Sequence, residues 1–240
     1  MKRNSVSGFT LIEMLTVMFI IAILAALILG VHGFVNYKAS MARATGEIQA
    51  MTASCESYKA DNGSYPRSNT LTTGSPQAGN TEGAVTGTVP HLTQAASPIS
   101  PMQHGNPLSS NYQQASLYLY RELSGDTNLN GIHESTEAQV YYNFRPDQIG
   151  TATGAPVPND GSGKVTYLKD PFGNSYGYST AAATDEEAYQ QNLASDPTSK
   201  RPNPAQGFNS TFDLWSTGGR VNTTMTPDPN SIWARWAKNW

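Results

Sequence analysis

An α+β fold is what this 240-residue sequence predicts: one long N-terminal helix, membrane-spanning in its first half, packed on a small antiparallel sheet with loop insertions. Three observations carry that expectation. The run from Phe9 to about Val31 is apolar and long enough to cross a bilayer. No proline occurs before Pro66, so a helix can continue past the membrane. Strand-like segments separated by turn residues then occupy the C-terminal half.

Composition narrows the function classes before any motif is considered. Charged residues make up 14% of the chain and hydrophobic ones 38%, so long stretches are polar but uncharged, which favours loops. A formal net charge of −3 leaves no basic footprint for nucleic acid, and none is expected as a partner. Cys55 is the single cysteine, so no disulfide can form within the chain. His32, His91, His104 and His133 are scattered, and no HExxH or Walker A pattern occurs. Nothing in the sequence argues for an enzyme.

The elements follow in order. Residues 1–8 make a leader carrying Lys2 and Arg3, which the positive-inside rule holds in the cytoplasm. Residues 9–33 make the membrane helix; at about 1.5 Å per residue the apolar run reaches roughly 34 Å, against a bilayer core of about 30 Å. A secretory signal peptide has a shorter apolar region, about 7–15 residues, ending in a small-residue cleavage site. This run flows into more helix instead. Over residues 34–66, Phe34, Tyr37, Met41, Ala44, Ile48, Met51, Cys55 and Tyr58 recur at spacings of three and four, an apolar stripe on one helix face. Lys38, Arg43, Glu47, Glu56 and Lys59 fall off it. The helix is expected to end near Lys59, before Asn62-Gly63 and Pro66. On the stripe, Cys55 reads as a small packed hydrophobe rather than a reactive thiol.

Residues 67–110 read as a long, polar, irregular insertion, and residues 111–240 as the globular head. The head opens with NYQQASLYLYRELSG, a helix with Ala115, Leu119 and Leu123 on one side, capped at Ser110 or Asn111 and stopped by Gly125. DTNLNGIHESTE follows. Asp126, Asn128, Asn130, Gly131 and Glu137 fit the D-x-[DN]-x-[DN]-G-x5-E calcium loop, with the Ile132 carbonyl and Glu134 as further ligands. Asparagine at two ligand positions lowers the charge, which favours a weak structural site, on the order of 10⁻⁴ to 10⁻³ M. His133 stands where such loops carry an aliphatic residue, and a plain Asn/Gly-rich turn fits the same letters. Strands are expected in QVYYNFR from Gln139, KVTYLKD from Lys164, SYGYST from Ser175 and FDLWST from Phe212. Residues 181–210 form a second polar segment without assignment. The tail SIWARWAKNW places Trp233, Trp236 and Trp240 on one face of a short helix, a clasp for the domain or a partner contact.

One charge interrupts the membrane run. Glu13 costs about 2.5 kcal/mol or more in hydrocarbon. The stretch around it, GFTLIEMLTV, resembles the prepilin-type signal of the type IV pilin and type II secretion pseudopilin superfamily. The likeness is specific because it joins a basic leader, Gly-Phe, a Thr-Leu-Ile-Glu tetrad and a spanning apolar run. It implies a pilin-like fold, cleavage by prepilin peptidase after Gly8, N-methylation of Phe9 and assembly through Glu13. The new α-amine on Phe9 lies four residues from Glu13, so the two can pair within a chain or between subunits of a helical fibre. A Glu13 that only snorkels to the interface is the competing reading. Many relatives carry a helix-kinking proline where this chain has Gly30, so local melting of the helix would rest on Gly30 and Gly33.

Two short motifs extend the resemblance toward the major, G-type pseudopilin. DPFGNSYGY at Asp170–Tyr178 is similar to a family turn, and FDLWSTGG at Phe212–Gly219 to a segment that usually continues with a calcium-binding acid. Arg220 stands at that place, so the family's own calcium site is not carried over. The resemblance implies a structural subunit of a type II secretion pseudopilus, single-pass in the inner membrane with its head in the periplasm. Prepilin peptidase, inner-membrane assembly machinery and minor pseudopilins are the implied partners. A type IV pilin or minor pilin acting in adhesion or DNA uptake, a membrane-tethered calcium-dependent binding module, and an anchored enzyme remain as alternatives.

Overall fold

The computed structural model describes residues 9–66, 107–108, 110–133, 139–154, 157–158, 161–199, 209–219 and 236–240. Helix α1 spans Leu11–Asn62, 52 residues, so the proline-free stretch is helical nearly throughout. Gly63 stops it. That residue takes a left-handed φ of 77° and donates its amide to the Lys59 carbonyl at 2.8 Å, closing the last turn, and Pro66 follows. The chain divides into two compact units, Met1–Ser40 and Met41–Trp240.

In the first unit the large apolar side chains from Phe9 to Val35 are exposed wherever they are described. An 18-residue window of α1 has mean hydropathy 2.9 with none of it buried, so the helix is long and apolar enough to cross a membrane. In the second unit the stripe does what its spacing predicts: Ala44, Ile48, Met51 and Cys55 are buried, with Met41 and Tyr58 packed at the margin. Phe34 departs from the expectation and is 65% exposed, because the packed stretch of stripe begins only at Met41. Burial pushes the Cys55 thiol far above its usual range, so it stays protonated and unreactive.

Helix α2, Ser110–Ser124, buries Ala115, Leu119 and Leu123 as expected, and lies against the strands at Tyr167–Leu168 and Gly177–Ser179. A 3₁₀ turn at Pro146–Gln148 leads into β1, Ile149–Gly150, antiparallel to β2, Tyr167–Leu168. The second sheet has the order β3–β4–β5, from Gly177–Ser179, Asp213–Ser216 and Ala237–Lys238, also antiparallel. In each sheet a glycine faces an aromatic ring: Gly150 opposite Tyr167, Gly177 opposite Trp215. A Cβ on Gly177 would lie 2.1 Å from the Trp215 indole, so only glycine lets that ring lie flat across the strand.

Three expectations are corrected. Residues 139–145 are not a strand; the amides of Tyr141 and Tyr142 both bond the Leu123 carbonyl at 2.8 and 2.9 Å, pinning the segment to the end of α2. The polar segment from 181 opens with a helix, α3, Ala181–Ser195. The tail is a strand where described, not a helix. Trp236 stacks on Trp215 at 6.2 Å and 7°, Trp240 meets it edge-on at 6.0 Å, and β5 pairs with β4. Asn239 fastens it: its side-chain oxygen accepts from the Leu214 amide at 2.9 Å and its amide group donates to the Phe212 carbonyl at 3.1 Å. Trp236 and Trp240 therefore act as the clasp; Trp233 lies outside the described residues.

Candidate functional site

The N-terminus of α1 holds the predicted assembly carboxylate. Thr10 precedes the first helical residue, and Glu13 is the third residue inside. The Glu13 carboxylate accepts from both the Thr10 amide and the Thr10 hydroxyl at 2.7 Å, and the Glu13 amide reaches back to the Thr10 hydroxyl at 3.4 Å. That is a capping box: two helix-end amides are satisfied reciprocally, and the carboxylate sits where the helix dipole favours a negative charge. The Thr-x-x-Glu spacing before an apolar run was legible in the sequence, and the reading of Glu13 as a charge in search of an amine missed it. Phe9 lies outside the helix. Gly8 itself falls outside the described residues.

Further along α1 is a second carboxylate, the buried Glu47. It is 6% exposed, and its Oε1 accepts from Arg43 Nε at 2.8 Å and Arg145 Nη2 at 2.5 Å. Its Oε2 accepts from the Tyr176 hydroxyl at 2.6 Å. Asp147 completes the group by pairing with Arg43 and, at 3.3 Å, with Arg145 Nε. The network fastens α1 to the turn before β1 and to the residue before β3. A buried charge so fully bonded fixes one register of helix against head, since any slip would leave it unpaired.

The two family-like motifs meet at a third carboxylate. Asp170 is 2% exposed; its Oδ1 accepts from the amides of Phe172 and Asn174 at 2.9 and 2.8 Å, and its Oδ2 from the Ser216 hydroxyl at 2.5 Å. The Phe172 ring covers Gly219, where a Cβ would come within 2.8 Å of it. DPFGN and DLWSTGG thus form one interlocked corner. Burial, with a smaller push from the Glu47 charge, raises the Asp170 carboxyl to about 6 despite those donors.

The predicted calcium loop is a closed Asx turn in its described part. Asp126, 1% exposed, accepts from the Tyr120 hydroxyl at 2.6 Å and the Gly131 amide at 2.8 Å. Asn128 Oδ1 accepts the Asn130 amide at 3.0 Å, and Asn130 Oδ1 the Ile132 amide at 2.7 Å. Leu129 and Gly131 both turn left-handed, at φ 61° and 84°. Glu134 and Glu137 lie outside the described residues. Among the described residues no cluster of three or more His, Cys, Asp or Glu side chains is placed to hold a metal.

Residues 3–29 match the prokaryotic N-terminal methylation motif. That motif stands at the head of a long apolar helix followed by a small antiparallel sheet, an α+β layout consistent with a pilin-like fold. The chain's N-terminal part is 42% identical over 66 residues to the Type II secretion system core protein G of Pseudomonas aeruginosa, covering 28% of this chain and 46% of that protein. The match therefore spans less than half the length of that relative. No solved structure matches the chain.

Proposed function

We propose that the chain is a structural subunit of a type II secretion pseudopilus, trimmed by prepilin peptidase after Gly8, methylated on Phe9, and assembled through α1. The observation that carries this reading is the exposed apolar helix headed by a bonded carboxylate, in a chain whose N-terminal part is 42% identical to a secretion core protein. A bare apolar face of this length is stable only in lipid or against other helices. The subunit waits in the inner membrane, leader inside and head in the periplasm, and trades lipid for neighbouring α1 helices on assembly. The test is the mass of the mature N-terminus from native membranes. A chain beginning at methyl-Phe9 is expected; an intact leader overturns the reading in favour of a tethered module.

A weak structural calcium ion in the Asp126 loop is the second part of the proposal. The donors there are oxygens alone, and Asp126 is buried with no basic partner among the described residues. Glu134 and Glu137 would supply the remaining charge. With about 10 mM calcium and a dissociation constant in the sub-millimolar range, the gain is about 2 kcal/mol. The full chain in detergent should therefore melt about 4–8 °C higher in calcium than in chelator. Glu137→Gln should abolish the difference, and equal melting of the wild type in both conditions would remove the ion from the account.

A further inference from the structure

The exposed end of the apolar stripe has a chemistry of its own. Between Glu13 and Arg43 the sequence of α1 carries one formal charge, Lys38, and no acidic residue appears before Glu47. Arg43 is taken up by Glu47 and Asp147, whereas Lys38 makes no ion pair among the described residues. Its ammonium instead lies 5.6 Å from the centroid of the Phe34 ring, one helical turn back on the same face. Phe34 is 65% exposed and stands outside the packed cluster of the head.

Distance along the helix says what these two side chains meet. Counted from Phe9, Phe34 lies about 37 Å and Lys38 about 44 Å up the axis at 1.5 Å per residue. A bilayer is about 30 Å thick in hydrocarbon and roughly 40–45 Å with its headgroups. With the N-terminal end at one interface, Phe34 and Lys38 therefore fall in the opposite headgroup layer. An apolar aromatic ring at the acyl boundary, beside a long cationic side chain whose ammonium reaches the headgroups, suits that layer.

We propose that Phe34 and Lys38 form an interfacial anchor that binds anionic phospholipid headgroups on the outer side of the membrane in which the subunit waits. Lys38 supplies the charge and Phe34 holds its stem at the right depth. Arg43 takes no part, because its guanidinium is committed to the head. The inference rests on α1 spanning the bilayer with its leader in the cytoplasm. It adds a function to that reading: the anchor sets the subunit's depth, and its lipid contacts must be released before the helix enters a fibre.

The test reconstitutes the full chain in phosphatidylethanolamine vesicles containing spin-labelled phosphatidylglycerol or phosphatidylcholine. Lys2→Gln and Arg3→Gln are present in every sample, so that the leader's charges do not contribute. The expected preference for phosphatidylglycerol at the protein boundary is about fivefold for one such lysine, screened by salt. Lys38→Gln should reduce it to parity and Lys38→Arg should retain it. A fluorophore on Val35→Cys, in a Cys55→Ala background, should be quenched more by headgroup nitroxides than by nitroxides deep in the acyl chains. No preference in the Lys38 chain, or a preference unchanged in Lys38→Gln, overturns the anchor. So does a Val35 label accessible only to aqueous quenchers. Cleavage at Gly8 is scored separately: a processed chain without lipid preference loses the anchor alone, and a lipid preference without processing loses the subunit reading alone.

Discussion

The Glu13→Gln chain is expected to insert in the membrane normally and to yield fibres at about a tenth of the wild-type level or less. Glutamine at the third helical position still completes a capping box, so the start of α1 is preserved. What it removes is the negative charge. In a bundle of α1 helices each Phe9 amine would then be left without a counter-charge, and an unpaired buried charge costs about 3–5 kcal/mol. That penalty falls on assembly and spares the single chain, whose N-terminus can stay hydrated at the interface. Fibre yield measured beside membrane insertion separates the two roles. Normal fibres from Glu13→Gln would reduce Glu13 to the cap that the Thr10 bonds describe.

Asp170→Ala is expected to destabilise the head by about 3–5 kcal/mol, from stranded donors each worth about 1–3. The half-buried amides of Phe172 and Asn174 and the buried Ser216 hydroxyl all lose their acceptor together. Denaturation of the full chain in detergent, followed by tryptophan emission from the Trp215 cluster, reads the loss. Wild-type stability in Asp170→Ala would mean that the corner is held by Phe172 against Gly219 alone. The same carboxylate should impose a pH dependence. Its folded value lies at about 6, above the unfolded value of about 3.9, so the folded state holds this proton more tightly. The stabilisation is complete below about pH 4 and is lost as pH rises through 6, by about 2–3 kcal/mol at most. Between pH 5 and 7 the wild type should lose stability relative to Asp170→Asn; parallel pH profiles would show that Asp170 does not titrate in that range.

Much of this was legible in the linear chain because the signals are local. A proline-free apolar run followed by a three-and-four stripe can only be a helix of this length, and Gly63 and Gly125 end α1 and α2 where their left-handed geometry is needed. The Thr10–Glu13 box was equally local, yet the charge of Glu13 drew attention away from its Thr-x-x-Glu spacing. What else escaped was non-local or weakly patterned. QVYYNFR alternates like a strand, yet Leu123 offers its carbonyl first, and no window of sequence contains that competition. WARWAKNW has helical spacing, but stacking on Trp215 and the Asn239 bonds to β4 outweigh it. α3 was hidden in a polar segment whose apolar face gives almost no periodic signal.

The sequence by itself determined the long apolar run, the N-terminal methylation motif and the core face of α1, since each depends on residues within a turn or two of one another. Only the tertiary structure decided what bonds the buried carboxylates of the head. Glu47 meets Tyr176 across 129 positions and Asp170 meets Ser216 across 46. A buried charge is tolerable only where the fold delivers its donors, and that delivery is a property of packing rather than of spacing.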